Sequence, residues 1–306
     1  MSLPTFQELA NRATARQARV GVVAAGGADP TVLQALCIAA QRGWVRPLVT
    51  GDIAEIAQIA QAKQVDLSPF EVIASNEPAE TAAQQIAEGR AAILMKGQID
   101  TPSLVRPLFD PRYGLRRGKT ICQVVLMEIL DQQRRFLLSD TGVTIRPTPK
   151  QKGDILKYTL EVARGLGLAV PHVALVAATE KFNPAMPETV DMVDLCRQAA
   201  EGDFGPALVQ GPLSFDVAYA PEAGTKKRID GQVVGAAEAL VFPDLLSANL
   251  TVKAIMYTAR CQFGGVLAGA GCPVVFMSRS DTVETRLNSL ALALVLAESS
   301  AAPANP

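Results

Sequence analysis

Short runs of apolar residues alternate along the chain with longer segments in which apolar residues recur every three or four positions. The short runs are typical of strands buried on both faces of a sheet, and the longer segments are typical of helices with one apolar face. The strand candidates are RVGVVAA, VRPLVTG, AAILMKG, TICQVVLM, RFLLSD, HVALVAATE, EALVFPD and PVVFMS. The helix candidates between them include DPTVLQALCIAAQRGW, GDIAEIAQIAQAKQ and PETVDMVDLCRQAAEG. The pattern predicts an α/β protein with mostly parallel sheets and flanking helices.

The alternation is broken once, near the middle of the chain. The segment TICQVVLMEILDQQRRFLLSD contains two strand-like runs joined by a polar turn, which predicts an antiparallel pair. Such a pair is a natural place for the chain to leave one domain, and 306 residues are enough for two domains. We expect the crossing near Asp140 and the return near Gly265. The predicted domains are therefore residues 1–140 with 266–306, and residues 141–265.

The charge balance argues against two classes of partner. The chain has 29 basic and 30 acidic residues, whereas proteins that bind nucleic acid or a membrane surface carry a clustered basic excess. A small anionic substrate is compatible with this balance, because a few well-placed cations are enough to bind one.

Cysteine and histidine usage argues against disulfides, metal sites and catalytic triads. The five cysteines contain no CxxC pair, so neither a disulfide framework nor a zinc site is predicted, and a reducing compartment is expected. The single histidine, His172, lies at the start of an apolar strand, which gives a Ser-His-Asp triad little support.

The segment MSLPTFQELANRATARQ predicts an amphipathic helix without the apolar core of a signal peptide, and no apolar run has the length of a membrane span. These features predict a cytoplasmic protein.

In open α/β sheets, ligands bind beyond the carboxyl ends of the strands, so the residues that follow each predicted strand are candidate site residues. Lys96 follows AAILM, and Thr101 comes shortly after it. The run VVFM is followed by Ser278 and Arg279, and then by Asp281 and Glu284. The other polar residues in such positions are Asp140 after FLLS, Glu180 after VALVAAT, and Asp244 with Asn249 after LVF.

Several of these residues also have a structural interpretation. Thr101, which precedes a proline, is a good helix N-cap, and Asp281 with Glu284 fits a capping box at the start of the helix VETRLNSLALAL. Lys96 and Arg279 are harder to explain in this way, because each follows an apolar strand directly and a buried cation needs a partner. Together with helix N-termini, these two cations predict an anion-binding site.

The same strand ends carry a resemblance to a known family. In order along the chain, LMKGQIDT, LLSDTGVTIRPT, ATEKFNPAMPET, GPLSFDVA, PDLLSANLTVKA and GGVLAGAGCPVVFMSRSD resemble stretches of the phosphate acetyl/butyryltransferase family. The last stretch, with its Ser-Arg-x-Asp, is the most specific, and the resemblance covers nearly the whole chain. It adds Asn183 of NPxMPxT and Asp216 of GPLxxD to the candidate site residues.

The resemblance implies a fold, a reaction and partners. The implied fold is the two-domain α/β type of the isocitrate and isopropylmalate dehydrogenases, with the active site in the interdomain cleft. The implied reaction is the transfer of a short acyl group, acetyl or butyryl, between coenzyme A and inorganic phosphate, without a metal, a cofactor or a covalent intermediate. Acyl-CoA and inorganic phosphate are then the substrates, and a homodimer is expected.

The resemblance also implies roles for individual residues. Ser278 and Arg279 match the family's catalytic serine and arginine. Ser278 would hydrogen-bond the reacting acyl or thiol group, and Arg279 with Lys96 would hold the phosphate oxygens. A carboxylate base would take the proton of the coenzyme A thiol, and this base is Asp281, Glu284 or a carboxylate elsewhere in the chain. The candidates expected to bind substrate are Lys96, Thr101, Asp140, Glu180, Asn183, Asp216, Asp244 and Asn249.

Departures from the family pattern keep other functions open. Thr285 stands where acetyl-specific relatives carry a catalytic aspartate, Thr144 stands where relatives usually carry Asn, and Glu238 stands where relatives have Asp. One alternative is an NAD-dependent hydroxy-acid dehydrogenase on the same fold, which predicts a metal-binding aspartate cluster. Another is a non-catalytic relative that binds acyl-CoA or phosphate.

Overall fold

The computed structural model of the chain describes residues 2–278 and 281–301. It divides into two compact units. We call the described residues of Phe6–Lys119 and Phe263–Pro306 the terminal unit, and those of Met1–Thr5 and Thr120–Gln262 the central unit. Both units combine helices with mostly parallel strands, which confirms the predicted α/β class.

The terminal unit is built from both ends of the chain. Its helices are α1 (Phe6–Thr14), α2 (Pro30–Gln41), α3 (Ile53–Ala62), α4 (Pro78–Ala87), α5 (Thr101–Phe109) and α11 (Val283–Ala301). Its strands are β1 (Val20–Ala25), β2 (Val45–Gly51), β3 (Glu71–Ala74), β4 (Ile93–Lys96), β10 (Cys261–Ala268) and β11 (Val274–Val275). The strand order is β3-β2-β1-β4-β11-β10, and neighbours are parallel except β10 and β11.

The centre of this sheet explains why its strands are continuous apolar runs. Strand β1 has parallel neighbours on both sides, and Val22–Ala25 are fully buried. Beyond the strands, Gly97 lies against Gly26, because a Cβ on Gly97 would be 2.0 Å from the Gly26 carbonyl oxygen. Only glycine allows so close an approach. The contact brings the chain that follows β1 and the chain that follows β4 together at the carboxyl edge of the sheet.

Helix α11 is the most buried helix of the terminal unit. Its residues from Leu290 to Val295 have almost no exposed surface, and α1 and α2 pack against it. The apolar residues of α11 are explained by its place in the core of the protein. In the part of the chain that the structure describes, neither α11 nor any other helix is long and apolar enough to cross a membrane.

The central unit begins with a hairpin and continues with alternating strands and helices. Its strands are β5 (Cys122–Ile129), β6 (Arg134–Ser139), β7 (His172–Val176), β8 (Leu208–Leu213) and β9 (Ala239–Val241). Its helices are α6 (Pro149–Gly165), α7 (Pro187–Glu201), α8 (Phe215–Tyr219), α9 (Pro221–Lys227) and α10 (Leu245–Thr258). The strand order is β5-β6-β9-β7-β8, and only the β5–β6 pair is antiparallel.

The hairpin also decides where the two units divide. Strands β5 and β6 form the predicted antiparallel pair, but the chain enters the unit that contains them at Lys119–Thr120 and not near Asp140. The reason is that β6 pairs in parallel with β9, so the whole hairpin is bonded into the central unit. The return crossing lies at Gln262–Phe263, close to the expected Gly265.

Candidate active site

The carboxyl ends of β1, β4 and β11 meet at one edge of the terminal unit's sheet. Strand β4 pairs in parallel with β1 up to Lys96 and with β11 up to Val275. The polar residues at this edge are Asp29 after β1, Lys96 at the end of β4, and Ser278 with Asp281 after β11. Asp29, Lys96 and Asp281 are 3%, 6% and 8% exposed. Charged groups are seldom buried without partners.

Arg286 is one such partner, and sequence analysis missed it. Its side chain is 1% exposed, its Nη2 lies 3.3 Å from Asp29 Oδ2, and its Nε donates to Thr31 Oγ1 at 2.7 Å. Nη1 donates to the carbonyl oxygen of Lys96 and Nη2 to that of Ser278, both at 3.4 Å. The guanidinium therefore lies among three of the segments that form this edge.

Asp29 pairs with Arg286 while it caps helix α2. Its Oδ1 accepts hydrogen bonds from the backbone N–H groups of Thr31 at 2.9 Å and Val32 at 3.1 Å. Burial lowers the pKa of Arg286, and the charges of Asp29 and Asp281 act in the opposite direction. Two buried carboxylates thus lie close enough to act on one buried guanidinium.

Two hydrogen bonds join Ser278, which follows β11, to Asp281. Asp281 Oδ2 accepts a hydrogen bond from the Ser278 backbone N–H at 2.6 Å, and the Asp281 N–H donates to the Ser278 carbonyl at 3.2 Å. Ser278 is exposed, whereas Asp281 is buried. Arg279, the other half of the predicted Ser-Arg pair, lies outside the residues that the structure describes.

The start of α11 differs from the predicted capping box. The helix begins at Val283, and the Thr285 N–H donates to Thr282 Oγ1 at 3.2 Å, so Thr282 is the capping residue. Asp281 precedes the cap, and its carboxylate holds the Ser278 N–H instead. Glu284 is exposed on the first turn of the helix.

The start of α5 also differs from the prediction. The N-cap is Asp100, whose Oδ1 accepts from the Ser103 N–H at 2.7 Å, and Thr101 is the first residue of the helix. Aspartate is a strong N-cap residue, so the helix begins one residue earlier than predicted. Thr101 is half-buried.

In the central unit, Asp140 organises the loop that follows β6. Its Oδ1 accepts from the backbone N–H groups of Gln123, Gly142 and Val143 at 2.9, 3.1 and 3.1 Å, and its Oδ2 accepts from the Thr144 N–H at 2.7 Å. Burial raises the pKa of the Asp140 carboxyl, and the backbone N–H groups oppose this rise. Both oxygens are therefore engaged with the main chain.

Helix α10 holds the same loop. Asn249 Nδ2 donates to the Thr141 carbonyl at 3.0 Å. Asp244 caps α10, because its Oδ1 accepts from the Ser247 N–H at 2.8 Å. The structure thus brings Asp140, Asp244 and Asn249 into one loop-and-helix assembly.

Glu180 and Asp216 are brought together by two residues that sequence analysis missed. The Ser214 hydroxyl hydrogen-bonds with both carboxylates, and Lys227 Nζ lies 2.8 Å from Glu180 Oε1 and 3.0 Å from Asp216 Oδ2. Hydrogen bonds from Ser214 and Lys227 lower the pKa of Asp216. Burial raises the pKa of Glu180, but hydrogen bonds from Lys227 and Ser214 outweigh it, so this pKa is also lowered.

Asn183 shapes the loop before α7. Its Oδ1 accepts from the Ala185 N–H at 3.0 Å, and its carbonyl accepts from the Met186 N–H at 2.8 Å and from Thr189 Oγ1 at 3.0 Å. Thr189 is fully buried, which fixes the loop to the helix, whereas Asn183 is exposed.

The two missed cations differ in the signal they leave in the sequence. Arg286 interrupts the apolar helix VETRLNSLALAL, and a charged residue in such a segment needs a partner. The sequence does not identify Asp29 as that partner, because the two residues are 257 positions apart. Lys227 lies in the charge run KKR, which is typical of a solvated surface.

The candidate site residues in the described part of the chain carry hydroxyl, carboxylate and cationic groups. Among residues 2–278 and 281–301, no group of three or more His, Cys, Asp or Glu side chains is placed to hold a metal ion. The five cysteines are free. Burial raises the pKa of Cys272 to about 12 and that of Cys196 to about 11, so both are protonated thiols at neutral pH.

Comparisons with known proteins identify relatives over nearly the whole chain. A family model described as phosphate acetyl/butaryl transferase matches residues 73–294. The chain is 33% identical over 300 residues to a phosphate butyryltransferase of Clostridium acetobutylicum, which covers 96% of this chain and 99% of the relative. It is 34% identical over 294 residues to a phosphate acetyltransferase of Thermotoga maritima, which covers 95% of this chain and 99% of the relative.

A solved structure agrees with these relatives. A branched-chain phosphotransacylase from Enterococcus faecalis V583 has a TM-score of 0.80 to this chain at 30% identity, and the match covers 91% of this chain and 99% of that one. The resemblance seen in the sequence is therefore confirmed, and the chain is an acyltransferase that belongs to the phosphate acetyl/butaryl transferase family.

Proposed function

We propose that the chain transfers a short acyl group between coenzyme A and inorganic phosphate. The observation that carries this proposal is the edge of the terminal unit's sheet, where buried Lys96 and Asp281 lie with the exposed Ser278 in a chain of this family. These residues combine a cation for an anionic substrate, a carboxylate for a proton and a hydroxyl for hydrogen bonding. Acyl-CoA and inorganic phosphate are the proposed substrates, and no metal or cofactor takes part in the proposed reaction.

The proposed chemistry is a direct transfer. In the direction that forms the thioester, the coenzyme A thiol gives its proton to a carboxylate base. The sulfur then attacks the carbonyl carbon of the acyl phosphate, and a C–S bond forms while the C–O bond to phosphate breaks. Phosphate leaves with the electron pair of that bond. In the reverse direction, phosphate attacks the thioester and the base returns its proton to the leaving thiolate.

Each residue at the strand ends has a proposed role in this transfer. Lys96 and Arg279 bind the phosphate oxygens, which gain charge in the transition state. Ser278 hydrogen-bonds the reacting acyl or thiol group. Asp281 is proposed as the base in preference to Glu284, because its carboxylate is held at the Ser278 N–H whereas Glu284 is exposed on the first turn of α11.

The other candidates divide into direct and indirect contributors. Thr101 and Asn183 are proposed to contact substrate, because both retain exposed surface. Asp216 is exposed as well, but its carboxylate is engaged by Ser214 and Lys227. The residues proposed to act indirectly, by shaping loops, are Asp140, Glu180, Asp216, Asp244 and Asn249. We also propose the domain arrangement of the isocitrate and isopropylmalate dehydrogenases, with substrate bound in the interdomain cleft.

A homodimer is part of the proposal. Leu246, Leu250 and Tyr257 lie on one face of α10 and are 68%, 60% and 80% exposed. Ile145 is also exposed, and its carbonyl accepts the Leu245 N–H at the start of the same helix. Apolar patches of this kind mark interaction sites, and we propose that a second copy of the chain covers this one. A cytoplasmic location is also proposed, and the five free cysteines support it.

A thiol-release assay tests the function. The purified protein is incubated with inorganic phosphate and acetyl-, butyryl- or branched-chain acyl-CoA, and free thiol is followed by its colour reaction. Phosphate-dependent release is expected, it is expected to survive exhaustive chelation of metal ions, and Arg279→Ala is expected to lower it about a hundredfold. Binding of coenzyme A without thiol release would favour the non-catalytic relative. Activity that requires NAD and a divalent ion would favour the dehydrogenase.

A further inference from the structure

We infer that Arg286 is a positioning residue for acyl transfer, an inference that rests on the proposed function. Its guanidinium joins the main chain at Lys96, the last residue of β4, to the main chain at Ser278, which lies beyond the end of β11. Arg286 itself is buried beneath this edge, so it acts on the reaction through the residues that it holds.

The ladder between β4 and β11 does not extend to these residues. Its paired positions end at Met95 and Val275. Beyond this point, Arg286 donates from Nη1 to the Lys96 carbonyl and from Nη2 to the Ser278 carbonyl, both at 3.4 Å. The guanidinium therefore connects the two strand ends where the backbone pairing has stopped.

Arg286 is well placed to act as a rigid connector. Its Nε donates to Thr31 Oγ1 at 2.7 Å, its Nη2 lies 3.3 Å from Asp29 Oδ2, and Asp29 is itself held by capping α2. A guanidinium is planar and presents its donors in a fixed fork, so contacts on its different edges constrain one another. Arg286 thus ties the main chain at Lys96 and at Ser278 to the N-terminus of α2.

Arg286 also has a second effect, which an experiment must separate from the first. Among the residues that the structure describes, the buried charged groups at this edge are the cations Lys96 and Arg286 and the carboxylates Asp29 and Asp281. Removal of Arg286 alone would leave an uncompensated carboxylate in the interior, which destabilises a fold whatever the residue does in catalysis. A loss of activity in the single variant is therefore not sufficient evidence for positioning.

A double variant separates the two effects. Asp29→Asn with Arg286→Met removes both charges of the ion pair, and asparagine still caps α2. We expect this double variant to melt close to the wild type. We expect its kcat for phosphate-dependent thiol release to fall about tenfold to a hundredfold, with a smaller change in KM, because misplaced reacting groups slow the chemical step. Arg286→Lys is expected to share the loss, since an ammonium keeps the charge but not the fork.

Two further measurements complete the test. Ser289→Ala is the matched control for lost buried polar contacts, because Ser289 lies on the same helix, donates to the Thr285 carbonyl and accepts from the Gly265 N–H. It is expected to lower the melting temperature and to leave kcat unchanged. The Arg286→Met change is also measured in a Ser278→Ala background, where a smaller loss than in the wild type is expected, because residues that act together are not additive.

Two results would overturn the inference. Wild-type kcat in the Asp29→Asn/Arg286→Met variant would mean that Arg286 only balances a charge. Strictly additive losses for Arg286 and Ser278 would mean that Arg286 does not act through Ser278. Failure of the proposed function looks different, because the wild-type protein and Ser289→Ala would then release no thiol in the presence of phosphate.

Discussion

At the scale of single residues, the carboxylate of Asp281 has a structural contact that fits a chemical role. Its Oδ2 accepts a hydrogen bond from the Ser278 N–H at 2.6 Å, so the carboxylate is oriented by the backbone of Ser278. A general base must be held within hydrogen-bonding reach of the proton it takes. This hydrogen bond therefore couples the position of the proposed base to the position of the residue proposed to bind the reacting group.

Replacement of Asp281 by Asn distinguishes the structural contact from the chemical role. The asparagine oxygen can still accept the Ser278 N–H, so this hydrogen bond is expected to be kept, and the melting temperature is expected to fall only through the loss of one buried charge. The side chain can no longer accept the thiol proton as a base, and turnover is expected to fall about a hundredfold or more. The measurement is thiol release with phosphate, together with a melting curve for each protein.

Glu284→Gln is the paired variant for this experiment. Glu284 is exposed on the first turn of α11, where a carboxylate interacts favourably with the helix N-terminus, and its replacement by Gln is expected to lower the melting temperature slightly. If the large loss of turnover appeared in Glu284→Gln and not in Asp281→Asn, the base would be Glu284. If both variants were fully active, the base would lie elsewhere in the protein.

At the scale of secondary-structure elements, Asp244 has a structural role that requires no contact with substrate. It caps α10 through the Ser247 N–H at 2.8 Å, and α10 in turn holds the Asp140 loop through Asn249. Asp244→Asn is expected to keep both stability and turnover, because asparagine caps as well as aspartate. Asp244→Ala is expected to lower the free energy of unfolding by about 1 kcal/mol in urea titrations. Loss of turnover in Asp244→Asn at unchanged stability would show direct contact with substrate instead.

The cluster formed by Lys227, Ser214, Glu180 and Asp216 in the central unit predicts a pH dependence of stability. The pKa values of Glu180 and Asp216 are lowered from 4.5 and 3.8 in the folded protein. Groups with lowered pKa values contribute stability above their unfolded pKa values, and the contribution is lost as the pH falls through the folded values. In the wild type, this contribution is therefore expected to disappear as the pH falls below about 4.5.

Lys227→Met tests this prediction because it removes the shared partner of both carboxylates. Melting temperatures measured from about pH 7 down to about pH 3 are expected to fall less steeply in this variant than in the wild type. Lys226→Met is the matched control, since Lys226 is the neighbouring exposed lysine of the same helix. Equal slopes in the wild type and Lys227→Met would show that the cluster adds no net stability.

At the scale of the whole molecule, sequence periodicity was sufficient to predict the fold class. It was not sufficient to predict where the chain divides into two units. Apolar runs and helical patterns identify strands and helices because each is set by local burial. The division at Lys119–Thr120 depends on the pairing of β6 with β9, and these strands are far apart in sequence. No local pattern records such a pairing.

The same distinction explains which site residues the sequence could reveal. Lys96, Ser278 and Asp281 lie at or beyond the carboxyl ends of predicted strands. They can therefore be identified from the sequence, because ligands bind at these ends in open α/β sheets. Arg286 was missed because its role depends on contacts with Asp29 and with the Lys96 carbonyl, which are made across the fold. Candidates that match sequence motifs also include residues such as Asp140, whose cited contacts are with the main chain of its own loop and of β5.

The exposed face of α10 gives a prediction about the assembled protein. If a second copy of the chain covers this face, Leu250→Asp or Tyr257→Asp would place a charge in an apolar contact, which is strongly unfavourable without a partner. Both variants are expected to be monomers in gel filtration with light scattering, under conditions in which the wild type is a dimer. Val193→Asp is the matched control, because Val193 is an exposed apolar residue on α7 and is expected to leave the dimer intact. A wild type that stays monomeric over a wide range of protein concentration would contradict the proposed dimer, and the apolar face of α10 would then need another occupant.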